Sequence, residues 1–212
     1  MNCIQSPFNL IAVNGDQALP FLQGQLTCDV LNITEGNPQR GALCNLQGRV
    51  LALIDVCLWQ QKVYLLVSAD LVPITLQTLQ KPALFSRVQL QLTTTIIPAF
   101  SLALQDAAAF HRQELEKNNV LIHACTSGLY LPHTLNFHLT NIINFNKGCY
   151  RGQEIIARMH YRAKLNYELS FKKLFVDELW PGTKQELLGE VVDCCKIGPQ
   201  EYLAAISRVL KK

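Results

Sequence analysis

The chain of 212 residues is long enough to bury the core of one or two domains. Hydrophobic residues make up 49% and charged residues 17%, which is typical of a globular protein and excludes a disordered chain. The net charge of +3 permits contact with an anion or with RNA but favours neither. No apolar run approaches the length of a membrane span, and the first residues lack a secretory signal, so we expect a cytoplasmic protein without a membrane partner.

Residues 1–97 predict an α+β domain. An apolar strand over 10–13 is followed by apolar residues with helical spacing over 18–26. Three strand-like segments, a helix and an alternating strand come next, over 41–45, 50–59, 63–67, 69–79 and 88–92. The order strand, helix, three strands, helix, strand is close to a ferredoxin-like sheet with one extra strand and helices on one face.

The rest of the chain divides into two parts. Residues 98–165 contain a helical stretch over 101–117 and a mixed segment that leads into a glycine-rich octapeptide. After residue 165, strand-like alternation and the turn Trp180-Pro181-Gly182 predict a small, barrel-like β module over 166–212.

The octapeptide places one thiol between two glycines and two cations, and it reads Lys147-Gly148-Cys149-Tyr150-Arg151-Gly152-Gln153-Glu154. A helical pattern follows Gly152, so Cys149 lies just before the positive end of a helix. A helix start and neighbouring cations favour the thiolate, which is the nucleophilic and metal-binding form. The structural alternative is a glycine turn in which Cys149 only fills space.

The eight cysteines are irregularly spaced and form no CxxC motif. This pattern favours reduced thiols over a disulfide framework. The adjacent Cys194 and Cys195 have no third ligand nearby in the sequence, so we interpret them as structural. The five histidines form no HxxxH or HExxH motif, and no metal site is expected.

The octapeptide and the run IIARMHYRAKL after it resemble the signature of the YgfZ family, folate-binding relatives of the glycine-cleavage T-protein. We call residues 147–154 the signature. Three further blocks resemble the family in the same order. They are NGD with FLQGQLT and DV in the first block (14–30), ALCNLQGRV in the second (42–50), and GLYLP with LN in the third (128–136).

The resemblance implies a T-protein-like N-terminal sheet, with a middle region and a C-terminal barrel that are both reduced in this chain. It also implies a pocket for tetrahydrofolate or a derivative. The family's pocket aromatics fall on Phe8 and Phe110 here, and Arg49 and Lys147 are the candidate counter-charges for the folate glutamate. We expect the pocket between the sheet and the signature helix, with Arg49 and Cys149 approaching one cavity.

The resemblance further implies an accessory protein that supports iron–sulfur cluster assembly or repair and, through iron–sulfur enzymes, tRNA modification. Its partners would be iron–sulfur enzymes or assembly proteins, and direct tRNA binding is not expected because the basic residues are scattered. Two alternatives stay open. One is a folate-dependent aminomethyltransferase, in which Asp29 is the candidate catalytic aspartate although it has a capping role available. The other is a thiol-redox interaction module without folate.

Overall fold

The computed structural model describes residues 7–162, 166–185 and 188–210. The strands and α-helices have these bounds in chain order: β1 Phe8–Asn14, α1 Ala18–Gln23, β2 Gln39–Cys44, β3 Val50–Trp59, β4 Lys62–Ser68, α2 Val72–Phe85, β5 Gln89–Thr93, α3 Ser101–Gln105, α4 Ala107–Glu116, α5 Gln153–Arg162, β6 Tyr167–Phe175, β7 Lys184–Gln185, β8 Gly189–Lys196 and β9 Glu201–Val209. Short 3₁₀ turns lie at Val30–Asn32, Ala69–Leu71, Pro98–Phe100, Pro132–Leu135 and Phe137–Leu139.

The first five strands form one sheet in the order β2-β3-β4-β1-β5. Each neighbouring pair is antiparallel, and β1 lies between β4 and β5. The elements follow one another as strand, helix, three strands, helix, strand. The predicted ferredoxin-like order with one extra strand is therefore confirmed.

Both faces of this sheet are buried, because successive side chains on its central strands point to opposite sides and pack in two different cores. Ile11 and Leu65 pack in the main core, which α1 and α2 cover through residues such as Leu22 and Leu79. Leu10 and its partner Leu66 face a second, smaller core. That core is covered by the 3₁₀ turn at Pro98–Phe100 and by α3.

The helical stretch predicted over 101–117 is two helices, α3 and α4, that meet at Asp106. Asp106 has a non-helical backbone (φ −142°, ψ 81°), and its carboxylate accepts a hydrogen bond from Ala109 N at 2.9 Å. The side chain thus caps the start of α4, and the non-helical backbone of Asp106 separates α4 from α3. Within the described ranges, no helix combines the length and the apolar character that crossing a membrane requires.

The C-terminal strands form a separate antiparallel sheet in the order β6-β9-β8-β7. One face joins the main core through Val192 and Ala205, and the other packs in a small core of its own with Cys194 and Ile206. Helix α4 contacts both β8 and β9. The predicted small β module is confirmed, and it docks against the middle region and the first sheet.

Candidate functional site

A buried lysine connects the first part of the signature, residues 147–152, to the first block. We call these residues the signature loop. Lys147 is only 9% exposed, and its Nζ donates hydrogen bonds to the carbonyl oxygens of Leu26 (2.8 Å) and Cys28 (2.5 Å). Burial lowers the pKa of Lys147 to about 8, an effect that neighbouring Cys28 and Asp29 partly offset. Lys147 was predicted to face a folate anion, but the structure places its ammonium group inside the loop that it holds.

Backbone contacts strengthen the same connection. The carbonyl oxygen of Thr27 accepts a hydrogen bond from Asn144 N at 2.9 Å, and the Thr27 hydroxyl donates to Ile142 O at 2.6 Å. On the other side of the thiol, Arg151 N donates to Gly24 O at 3.1 Å. The signature loop is therefore fixed on both sides of Cys149.

Two glycines bring the second block against the start of α5. Gly152 has φ +78°, and a Cβ atom there would lie 2.6 Å from Asn45 O. Gly48 has φ +74°, and a Cβ atom there would lie 3.1 Å from Ile155 Cβ. Because a side chain at either position would be strained and crowded, glycine is needed at both. Helix α5 begins directly after Gly152, as the sequence predicts.

The third block pairs with the second. Val50 N donates to Tyr130 O at 2.9 Å, and Gly128 N donates to Val50 O at 2.7 Å. The guanidinium group of Arg49 donates to Leu129 O. All four blocks, which lie far apart in the sequence, therefore meet in one assembly. We call this assembly, residues 24–28, 45–50, 128–130 and 142–153, the Cys149 platform.

Cys149 is exposed on this platform. Its neighbour Gly148 is exposed too, and a Cβ atom built on Gly148 would have no atom within 4 Å. On the other side Tyr150 is buried, with its ring centroid 5.3 Å from Lys147 Nζ. Burial raises the pKa of Tyr150, and its hydroxyl has no hydrogen-bond partner among the described residues. The turn thus anchors one flank of the thiol and leaves the other open to a reactant.

The remaining signature residues shape the start of α5. Gln153 Oε1 accepts a long hydrogen bond from Tyr150 N at 3.4 Å. Glu154 lies in the first helical turn, where the helix dipole stabilises a carboxylate, and it pairs with Arg158 at 3.3 Å. These contacts give Gln153 and Glu154 structural roles in the site.

None of the seven described cysteines forms a disulfide, and Cys3 lies outside the described residues. Burial raises the pKa of Cys28 and of Cys44 to about 12, which keeps both thiols protonated. Cys194 and Cys195 lie on opposite faces of β8, in different cores. The other exposed thiol, Cys125, lies outside the Cys149 platform and contacts Pro181 O at 3.6 Å.

The two predicted pocket aromatics contact each other. The ring centroids of Phe8 and Phe110 are 5.1 Å apart in an edge-to-face arrangement, and Arg40 lies over the Phe110 ring at 5.9 Å. The cavity that Phe8 lines with Arg40 has a volume of about 20 Å³. That volume suits about one water molecule and no part of a folate. Phe8 also lines an open, mainly apolar cleft of about 700 Å³.

Arg49 lines a different cleft of about 690 Å³, between the second and third blocks and the C-terminal sheet. We call it the Arg49 cleft, and its lining combines aromatic, cationic and acidic side chains: Arg49, Leu129, Tyr130, Leu131, Thr134, Tyr167, Lys184, Gln185, Gly189, Glu190, Ser207 and Val209. Glu190 accepts a hydrogen bond from the Tyr130 hydroxyl at 2.7 Å. Cys149 does not line this cleft. The cavity that Arg49 and Cys149 were expected to share is therefore not the Arg49 cleft.

Three lining residues of the Arg49 cleft were missed by the sequence analysis. Tyr167, Lys184 and Glu190 come from strands of the C-terminal sheet and belong to no motif. Only the docking of that sheet brings them near Arg49. Asp29, in contrast, has the predicted capping role, since its carboxylate accepts from Leu31 N at 3.3 Å and from Asn32 Nδ2 at 2.7 Å.

Comparisons with known proteins agree with the sequence motifs. No protein-family model matches the chain. The chain is 25% identical to the "tRNA-modifying protein YgfZ" of Colwellia psychrerythraea, over 75% of this chain and 67% of that protein. It is 29% identical to an uncharacterized protein of Haemophilus influenzae, over 73% of this chain and 67% of that protein. Further relatives from Vibrio species carry the YgfZ name.

The fold has a counterpart among solved structures. The glycine cleavage system aminomethyltransferase T from Bartonella henselae superposes with a TM-score of 0.61 at 14% identity, over 95% of this chain and 76% of that protein. At this identity the likeness establishes the fold alone. The resemblance to the YgfZ family and the T-protein-like fold, both predicted from the motifs, are confirmed.

Proposed function

We propose that this chain, a relative of the YgfZ proteins, is a folate-binding accessory protein that supports iron–sulfur enzymes, among them enzymes that modify tRNA. The relatives' name, tRNA-modifying protein, supports the tRNA part of this role. The observation that carries the proposal is the Cys149 platform. Four separate blocks and a buried lysine hold one turn, and that turn exposes a single thiol.

The chemistry of the platform fits an accessory role. An exposed thiol that follows Gly148 and lies two positions before Arg151, just ahead of a helix, is a nucleophile or a soft metal ligand when deprotonated. One cysteine is too few to hold an iron–sulfur cluster, since clusters are normally held by four ligands. Cys149 would therefore act on a group presented by a partner iron–sulfur protein, and the open Gly148 side gives that partner access.

The Arg49 cleft is our proposed folate site. Folate combines a flat pterin, an aromatic ring and an anionic glutamate, so its site needs apolar or aromatic walls, polar anchors and positive charge. Tyr130 and Tyr167 supply aromatic surface, Glu190 supplies an acceptor for pterin N–H groups, and Arg49 and Lys184 supply positive charge. The volume of about 690 Å³ lies within the range of ligand pockets in proteins.

Calorimetric titration of the full chain with tetrahydrofolate tests the folate part. We expect saturable binding at one site, weakened about tenfold or more in Arg49→Ala because an ion-paired hydrogen bond is lost. Arg112→Ala is the control, since Arg112 is exposed on α4 and pairs with Glu116 outside the cleft. Absence of binding by the wild-type chain would favour the thiol module without folate.

Complementation tests the cellular role. The wild-type chain, expressed in a bacterial strain that lacks its own YgfZ-like protein, should restore the tRNA modification made by an iron–sulfur enzyme. Nucleoside mass spectrometry measures that modification directly. If the well-expressed chain leaves the modification at the level of the empty vector, the proposed role is wrong.

A further inference from the structure

A buried carboxylate in the C-terminal sheet contacts two histidines of the middle region. Asp193 Oδ1 lies 2.7 Å from His111 Nε2 and 2.6 Å from His123 Nε2. Asp193 Oδ2 accepts a hydrogen bond from Leu121 N at 2.7 Å. The exposed fractions of His111, His123 and Asp193 are 2%, 4% and 0%. Three side chains that can bind a metal therefore converge at one point that bulk water does not reach.

This set of ligands is one that first-row divalent metals use. Imidazole nitrogen and carboxylate oxygen both bind Zn²⁺ at about 2.0–2.2 Å, and three protein ligands plus one water form a common tetrahedral site. The ligand atoms of the three side chains all lie within 4.8 Å of one another. Ligands in a tetrahedral site stand roughly 3.3 Å apart, so the present contacts would open by about 0.6 Å. Each ring would carry its hydrogen on Nδ1 and offer the Nε2 lone pair.

The surroundings have room for a fourth ligand and carry a charge that favours a cation. His111 and His123 line the cavity of about 20 Å³, which has room for about one water. Arg40 lines the same cavity and pairs with two carboxylates, Asp55 and Glu114, and Glu114 also pairs with Lys117 at 3.9 Å, so the charges of these four groups balance. Asp193 then carries the net negative charge of the site when both histidines are neutral. A bound cation would be stabilised by that charge.

We infer that His111, His123 and Asp193 bind a divalent first-row transition metal ion of the Zn²⁺ type. The ion would join β8 to α4 and to the loop that carries His123, and so fasten the C-terminal sheet to the middle region. A second group of histidines, His133, His138 and His160, is the matched comparison. The ring centroids of His138 and His160 lie 4.8 and 6.1 Å from that of His133. His160, however, is exposed and stacks on Phe145 with a centroid distance of 3.8 Å.

Cobalt spectroscopy on the full chain tests the site after removal of bound metal with a chelator. Co²⁺ should bind at one equivalent and give intense visible d–d bands of a tetrahedral site, without the thiolate charge-transfer band that a cysteine site would add. Zn²⁺ should remove these bands by competition. In the wild-type chain, adding Zn²⁺ should also raise the thermal unfolding midpoint, because the ion binds the folded state only. This second readout needs no variant.

Two variants locate the ion. His123→Gln keeps a hydrogen-bond donor near Asp193 but removes a metal ligand, so Zn²⁺ affinity should fall by more than about 100-fold, beyond the effect of losing an outer-sphere partner. His160→Gln should leave the cobalt spectrum and the Zn²⁺ affinity unchanged. The inference is overturned if the wild-type chain binds no Co²⁺ at one equivalent and its thermal unfolding midpoint does not rise when Zn²⁺ is added. It is equally overturned if His160→Gln, and not His123→Gln, removes the bands.

Discussion

Cys149 differs from the other described cysteines in its surroundings. Five of them are buried, and the other exposed thiol, Cys125, lies outside the Cys149 platform. The turn around Cys149 is held by Lys147 on one side and by the Gly152 contact on the other. The side chain of Cys149 itself contributes little to this support. Its reactivity and its contribution to stability should therefore be separable.

Alkylation of the native protein tests that separation. Cys149 should react with iodoacetamide faster than Cys44 by at least about two orders of magnitude, because Cys44 is fully buried with its pKa raised to about 12. Cys149→Ala should change the free energy of unfolding by less than about 1 kcal/mol, whereas Cys44→Ala should cost about 1 kcal/mol or more by leaving a cavity. Mass spectrometry of peptides and chemical denaturation measure the two effects. Equal alkylation rates would show that the turn does not present Cys149 as a reactive thiol.

Lys147 makes a pH-dependent contribution to stability. Its pKa is about 8 in the folded chain and 10.5 in a free lysine, because burial disfavours the charged form. Between these values the unfolded chain binds a proton that the folded chain does not, so this group makes stability rise as the pH rises from about 8 to 10.5. Below pH 8 both states are protonated and the contribution stays constant.

Denaturant unfolding across this pH window measures the contribution. Lys147→Met should flatten the rise, and Lys81→Met, which removes an exposed lysine on α2, should keep it. An identical slope for the wild-type chain and Lys147→Met would mean that the lysine is not desolvated as the structure indicates.

At the scale of elements, the contact between the second block and α5 depends on glycine. Gly152→Ala should lower the free energy of unfolding by about 2 kcal/mol or more, since it combines a positive φ with a Cβ only 2.6 Å from Asn45 O. Gly148→Ala is the matched control in the same loop, and because its Cβ meets no atom within 4 Å, we expect a change within about 0.5 kcal/mol. Chemical denaturation compares them, and equal costs would contradict the packing of α5 on this turn.

The same scale shows what local sequence patterns can predict. The strands of the first sheet alternate between two buried faces or end at clear turns such as Gln47-Gly48, so their order follows from the sequence. The sequence predicts one continuous helix over 101–117 because the apolar spacing continues through Asp106. The helix breaks at Asp106 because its side chain caps α4. This cap forms only when Asp106 has non-helical backbone angles, so it competes with continuation of the helix. The start of α5 was predictable because Gly152 marks it.

At the scale of the whole molecule, the sequence motifs predict which blocks meet but not what surrounds them. Asp193 lies 82 and 70 positions away from the histidines that it contacts, and no spacing rule connects them. Tyr167, Lys184 and Glu190 reach the Arg49 cleft only because the C-terminal sheet docks against the main core. Long-range packing of this kind depends on the complete set of apolar faces. Local periodicity carries no information about it.

The most direct test of the account compares two exposed thiols in living cells. Cys149→Ala and Cys125→Ala each remove one exposed sulfur, but only Cys149 lies on the platform built by the four blocks. Both variants are expressed at matched levels in a strain that lacks its own YgfZ-like protein, and the tRNA modification made by an iron–sulfur enzyme is quantified. The account predicts wild-type modification with Cys125→Ala and modification at the empty-vector level with Cys149→Ala. Full restoration by Cys149→Ala would contradict the central claim that this thiol carries the function.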